Sequence, residues 1–293
     1  MSRRTFGALL GASALTAGCA NFNLSEEETR TVRFATWNIA AAAPLYFGRG
    51  LRGVTKWIVE NDMDICALQE VDRFAKTSNY VDFPAYMAGE TGFHTFYGHS
   101  SLEPPHAPGR PRRHYGNLLL SRFPMPETLA VFLDEGPHAP ENLPEWGTDK
   151  RRALFAKVAV PGQEFWIATT HLSNTVSPDT HIVRKYQAMN LMHHFNEHVS
   201  ARVPFVIGGD FNTAAASHEM MPFYNNGLAS HTGSIGPTFP LDHRLAEQNM
   251  QTSIDHIFSR AVRVGNVRKH AFPELSDHAG VSADIILRVI KAP

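Results

Sequence analysis

Phe205-Val206-Ile207-Gly208-Gly209-Asp210-Phe211-Asn212 is a short apolar run that stops on two glycines, an acid and a carboxamide. A run of that length, without polar alternation, reads as a strand buried on both faces, and its terminal acid is carried to the rim of a sheet. The same arrangement recurs along the chain. Val32–Ile39 carries Asn38 at its end, Asp64–Leu68 leads into Glu70, and Glu164–Thr170 is followed by His171 with Asn174 close behind. Ser253–Phe258 contains Asp255, and Asp277-His278 precede the last run, Val281–Leu287.

Further strand-like runs lie at Gly116–Ser121, Ala153–Val160 and Val262–Val267, while Leu51, Val54, Ile58 and Met189, Met192, Phe195, Val199 follow helical spacing. The chain is therefore mixed α/β. No Pro/Gly/Ser-rich linker or internal repeat divides it, so a single large domain over residues 31–290 is expected. Two long loops are expected at His99–Tyr115, with Arg110, Arg112 and Arg113, and at Asp134–Lys150. For the arginines, a solvated loop and contact with an anionic substrate are both open readings.

With 293 residues, 43% of them hydrophobic and 19% charged, the composition excludes disorder, collagen and coiled coil. The formal charge of −1 marks no bulk nucleic-acid or acidic-membrane binder, and leaves room only for a local patch. Two cysteines, Cys19 and Cys66, are too few for a disulfide framework or a thiolate zinc site, so a metal would use oxygen or imidazole ligands. Cys66, within Asp64-Ile65-Cys66-Ala67-Leu68, reads as a buried, inert thiol.

The first eighteen residues read as an export signal. Arg3-Arg4 resemble a twin-arginine start, and Thr16-Ala17-Gly18-Cys19 resembles a bacterial lipoprotein box with Cys19 as the lipidated residue. Removing them takes both arginines and leaves a formal charge of −3. Residues 19–30, rich in Asn, Ser and Glu, read as a tether. The expected location is periplasmic or outer-membrane-anchored in a bacterium, with membrane attachment through the lipid and no obligate protein partner.

If the strand ends converge, carboxylates, carboxamides and two histidines share one cleft. Oxygen donors without thiolates suit a hard divalent cation, Mg²⁺ most naturally, with Mn²⁺ or Ca²⁺ as substitutes. An imidazole beside it can steady charge on a phosphate, and a carboxylate can orient water, which together describe metal-assisted hydrolysis of a phosphate ester. One Asp or Asn after a strand is more often a turn residue or cap; the combination in order carries the weight.

The series WNI, LQEVDR, YGNLLLSRFP, THLSN, GGDFN, SIDHIF and SDH resembles the endonuclease/exonuclease/phosphatase superfamily, from about Val32 to Leu287. The resemblance implies a four-layer α/β sandwich, two mixed β-sheets flanked by helices, in the manner of deoxyribonuclease I. It implies Asn38, Glu70 and Asp277 at the metal, His171 on the scissile phosphate, and Asp210 orienting water. It also implies Asn212 on phosphate or metal, and His278 on phosphate steered by Asp255. Asn174, Arg152 (with Arg151 as its rival), Tyr115 and Asn117 are implied substrate contacts. Ala40 stands where some DNA-repair members carry an acid, and His171 where apurinic endonucleases carry tyrosine, which points toward the deoxyribonuclease and sphingomyelinase side. The implied activity is an exported Mg²⁺-dependent phosphodiesterase acting on a phospholipid headgroup or nucleic acid. An extracellular deoxyribonuclease and a non-catalytic phosphate-binding lipoprotein are the alternatives.

Two other patterns read, from the sequence, as decoys. Gly48-Arg49-Gly50-Leu51-Arg52-Gly53 matches a dinucleotide fingerprint, but Ala40–Phe47 separate it from the strand end it would need. His194 and His198 lie four apart on an expected helix without the HExxH base, which reads as a solvated helix face. His218-Glu219 and His231 read as ordinary loop residues.

Overall fold

The computed structural model describes residues 28–42, 50–134, 136, 150–174, 179–200, 203–241 and 251–289. The export signal, most of the tether, the Gly48 end of the glycine-rich stretch and nearly all of the 134–150 loop lie outside the described residues. The elements in order are β1 (Thr29–Asn38), α1 (Gly50–Glu60), β2 (Ile65–Arg73), α2 (Phe83–Thr91), β3 (His94–Glu103), β4 (Arg113–Ser121) and β5 (Glu127–Phe132). They continue with β6 (Arg152–Val160), β7 (Gln163–His171), α3 (Thr180–His198), β8 (Phe205–Asp210), α4 (Met221–Asn225), β9 (Ala229–Ser230), β10 (Asp255–Arg260), β11 (Arg263–His270) and β12 (Gly280–Arg288).

The strands form two six-stranded mixed sheets, ordered β11-β12-β1-β2-β4-β3 and β5-β6-β7-β8-β10-β9. β1 with β2 and β7 with β8 are the parallel pairs at the sheet centres. Alternation explains the layering, because successive side chains leave a strand on opposite faces. In β1, Val32 and Phe34 join the apolar layer between the sheets, with Ile65, Leu154, Ile167, Val206 and Ile257. Ala35 and Trp37 point the other way, into a layer with Val54, Trp57 and Ile58 of α1. On the second sheet, Phe155, Ala168, Phe205 and Ile207 pack outward against Leu191, Met192 and Phe195 of α3 and Phe223 of α4. Three apolar layers between helix, sheet, sheet and helix make the expected four-layer sandwich.

Gly208 lets the two sheets approach closely at their centre: a Cβ there would lie 2.6 Å from Thr36 Cβ and 2.8 Å from Phe34 Cε1. Gly53 of the glycine-rich stretch has a packing role of the same kind, since a Cβ would meet Leu275.

The structure corrects several boundaries. β1 begins at Thr29, which pairs with Arg288, so Thr29 and Arg30 belong to the sheet and not to the tether. The 99–115 loop shrinks to residues 104–112, because β3 and β4 extend as a paired ribbon to Glu103 and Arg113. Arg110 stacks over Tyr80 at 4.4 Å, and Arg113 binds Asp72 at 2.9 Å and Glu103 at 2.6 Å. Glu70 does not end β2. It lies inside the strand, at a bulge.

Candidate active site

That bulge builds the site. In β2, Ala67 faces the other sheet and Leu68 faces α1, so regular alternation would turn Val71 toward the sheet interface. Val71 instead joins the α1 layer, because the pairing with β4 slips between Leu68 and Val71 and Glu70 takes a left-handed φ of 56°. One extra residue is absorbed there, and the Glu70 carboxylate comes round to the cleft beside Asn38, at a backbone cost of about 1–3 kcal/mol. Gln69 remains between the sheets, where its amide donates to Thr36 Oγ1 at 3.1 Å and Thr169 Oγ1 at 2.8 Å and ties both sheets together beneath the site.

Asn38 on β1 and Asp210 on β8 share the inward parity of Phe34 and Val206, and they meet across the seam. Asn38 Nδ2 donates to Glu70 Oε1 at 2.9 Å and Asp210 Oδ2 at 3.0 Å, while its Oδ1 accepts the Ala40 N–H at 3.0 Å. Sheet register supplies the neighbours: His171 and Asp255 both pair with Asp210. His171 Nε2 lies 3.4 Å from Asp210 Oδ2, and His278 Nε2 lies 3.8 Å from the same oxygen. Asn212, at φ 51°, donates its backbone N–H to Asp210 Oδ1 at 2.9 Å and its amide to Leu172 O at 3.0 Å.

His278 is fixed on every side. Its Nδ1 donates to both carboxylate oxygens of Asp255 at 3.0 and 3.2 Å, its N–H to Ser276 Oγ at 3.1 Å, and its carbonyl accepts Trp37 Nε1 at 2.9 Å. Ser276 Oγ in turn donates to Asn38 O at 2.7 Å, and the Phe239 ring lies 4.5 Å from the imidazole. Burial alone would lower the His278 pKa; the charges of Asp255 and Asp210 outweigh it and hold the imidazolium up at about 10. His171 behaves oppositely. Burial, then the charges of Arg151 and His278, keep it well below the usual histidine value and therefore neutral. Burial, joined by the Asp255 charge, raises Asp210 to about 7 against the His278 charge and the donors from Asn38 and Asn212. The site thus pairs one cationic with one neutral imidazole around the shared carboxylate of Asp210.

A cleft of about 1170 Å³ opens beside these groups and reaches them at Glu70 and His171, with Tyr115, Asn174, Arg151 and Arg113 also in its lining. Its other wall is the β3–β4 ribbon from Ser100 to Glu103 with Pro104, Pro105 and His106. Tyr115 belongs to the cleft, and burial followed by the Glu70 charge pushes its phenol well above the usual value. Asn174 takes the Arg151 guanidinium at 2.6 Å.

Two expected substrate contacts are corrected. Arg152 lies over the Phe132 ring at 3.8 Å, away from the cleft, and Asn117 is buried with its amide on Arg152 O at 2.8 Å. Arg151, one residue earlier and outside β6, is free of the strand's alternation and reaches the cleft instead. Ser276 and Gln69 lie inside the SDH and LQEVDR motifs, but a buried supporting role is not marked by their residue type.

The donor set fits a hard cation. Glu70 and Asp277 offer only oxygen donors, and burial raises the Asp277 pKa, with the Glu70 charge adding to the rise after the opposing pull of His278. Two carboxylates that repel each other at a cleft are relieved by a divalent cation. Asp210, Asp255 and His278 also lie close enough for a shared ion, but the protonated imidazole of His278 has no lone pair to offer.

The Endonuclease/Exonuclease/phosphatase family model matches residues 35–278. Among solved structures, an endonuclease/exonuclease/phosphatase from Beutenbergia cavernae is 28% identical at a TM-score of 0.72, covering 90% of this chain and 73% of that one. The human Nocturnin catalytic domain with bound sulfate is 20% identical at a TM-score of 0.65, covering 90% and 97%. A mannosyl-6-phosphatase from Bacteroides thetaiotaomicron is 17% identical at 0.62, covering 87% and 100%. These last two share the fold. Comparison with curated proteins gives no match.

Proposed function

The chain belongs to the endonuclease/exonuclease/phosphatase family of metal-dependent phosphoester hydrolases, and from that premise we propose that it is an exported Mg²⁺-dependent phosphodiesterase. The observation that supports the chemistry is the convergence of Asn38, Glu70, His171, Asp210 and His278 at one end of the sheet interface. Glu70, oriented by Asn38, and Asp277 would hold the cation, which when bound supplies Lewis-acid stabilisation of charge on the phosphate oxygens.

The protein's own groups do the rest. His278, kept cationic by Asp255, faces the non-bridging oxygens with Nε2–H and stabilises the charge that grows there. His171, neutral, donates one hydrogen bond to the phosphate without adding a second cation. Asp210 has one oxygen on the Asn212 N–H and the other toward Asn38 and the two imidazoles, and it orients the attacking water and accepts its proton. Arg151, braced by Asn174 in the cleft wall, contacts an outlying anionic group of the substrate.

For location, support comes from the Arg3-Arg4 start and the small residues before Cys19. Among the described residues, no helix is long and apolar enough to cross a membrane. A lipid tether would keep the enzyme beside phospholipid headgroups or extracellular nucleic acid, the two substrate classes that fit that setting. The test is turnover of bis-p-nitrophenyl phosphate, sphingomyelin and plasmid DNA by the purified protein, with and without Mg²⁺, beside His171→Ala. Mg²⁺-dependent turnover lost in the variant is expected; equal turnover by both proteins would overturn the assignment.

A further inference from the structure

Helix α3 ends in His193-His194-Phe195-Asn196-Glu197-His198, and Phe195 is fully buried, which turns Glu197 and His198 to the surface with His194 half-buried beside them. Positions three and four apart share a helix face, so these three side chains meet. His194 Nδ1 lies 3.3 Å from Glu197 Oε2, and one ligand atom from each of His194, Glu197 and His198 lies within 4.8 Å of the others. The two rings are 6.5 Å apart between centroids.

A tautomer argument sharpens the picture. His198 Nδ1 lies 2.9 Å from the His194 carbonyl oxygen. A carbonyl only accepts, so Nδ1 carries the proton and Nε2 keeps its lone pair, the state and orientation that metal-bound histidines take from such backbone bonds. The last turn of a helix also presents its unsatisfied carbonyls, and the partial negative charge there favours a cation. His193 Nε2, 3.4 Å from the other Glu197 oxygen, competes for the carboxylate when no ion is present.

We propose that His194, Glu197 and His198 form a second metal site, distinct from the phosphoesterase centre and selective for a borderline transition-metal ion such as Zn²⁺. Two imidazoles and one carboxylate match Zn²⁺, Ni²⁺ or Cu²⁺, whereas Mg²⁺ prefers an all-oxygen shell. Water completes the coordination at this open surface. With a rise of about 1.5 Å per residue, the site lies roughly 20 Å along α3 from the helix start that follows the His171–Asn174 segment.

The test is calorimetric titration of ZnCl₂ into the full-length protein held in saturating Mg²⁺, comparing wild type, Glu197→Gln and the double variant His194→Ala/His198→Ala. Wild type should take up one Zn²⁺ that the double variant lacks or binds at least tenfold more weakly, with Glu197→Gln in between. Cu²⁺ spectra should show coordination by two nitrogens only in proteins that keep both histidines, while circular dichroism and Mg²⁺-dependent turnover stay unchanged in the double variant. Equal Zn²⁺ stoichiometry and affinity in wild type and double variant would overturn the proposal.

Discussion

Asp255→Asn isolates the charge on which the cationic state of His278 depends. Asp255 is fully buried, and its two oxygens lie 3.0 and 3.2 Å from His278 Nδ1. Asparagine keeps an acceptor for that N–H and removes the charge. The His278 pKa stands at about 10 against an ordinary 6.5, a difference worth roughly 5 kcal/mol at about 1.4 kcal/mol per pH unit. Burial opposes the charged form, and the remaining nearby carboxylates are Asp210, 3.8 Å from Nε2, and the adjacent Asp277. In the variant, His278 should titrate at least two pH units lower, and kcat for bis-p-nitrophenyl phosphate at pH 8 should fall about 10²–10³-fold, as for loss of one charge-stabilising donor. KM should change less. Linkage gives an independent check: a raised histidine pKa contributes stability that is present below 6.5 and is lost as pH rises toward 10. Wild type should therefore lose stability over that window and the variant should not. NMR titration of His278 Cε1–H, with urea melts across the window, measures both. An unchanged His278 titration with kcat within threefold of wild type would refute the reasoning.

Other expectations follow from single features. Glu70→Gly should raise the melting temperature of metal-free protein by relieving the left-handed φ and the repulsion with Asp277, a gain of about 1 kcal/mol, while abolishing Mg²⁺-dependent turnover; thermal melts and the bis-p-nitrophenyl phosphate assay check each half. Gly208→Ala forces a methyl against Thr36 and Phe34 between the sheets and should cost about 1–3 kcal/mol in urea unfolding. His256, buried between Thr232 Oγ1 at 2.7 Å and Thr213 O at 3.0 Å, has its pKa lowered chiefly by burial. A depressed histidine contributes stability that is present above 6.5 and is lost as pH falls, so wild type should weaken below pH 6.5 and His256→Gln should weaken less, by urea midpoints at pH 5 and 7. Chelation by EDTA should abolish turnover, and added Mg²⁺ should restore it.

The central strands were legible because their inner stretches are buried on both faces and carry apolar runs, as in residues 165–168 of β7 and 205–207 of β8, while β1 showed in the apolar residues that flank Arg33. The elements that escaped lie at edges. β3 and β5 are the outermost strands of their sheets, mostly half-buried or exposed, and carry little hydrophobic pattern. Helix α2 is short with Pro84 in its first turn, and its start is declared mainly by the Asp82 cap.

By itself, the sequence determined which residue types stand at the strand ends: Asn38, His171, Asp210, Asn212, Asp255, Asp277 and His278 are named by where apolar runs stop. Tertiary structure alone decided their chemistry. The Glu70 bulge is a slip in pairing with β4, the exchange of Arg152 for Arg151 is set by where β6 begins, and the opposite charge states of the two histidines arise from what surrounds each one. Register, face and local field belong to residues distant in the chain, since Asn38, Asp210 and His278 meet only once two sheets have closed on Gly208, and a linear pattern carries no record of that closure.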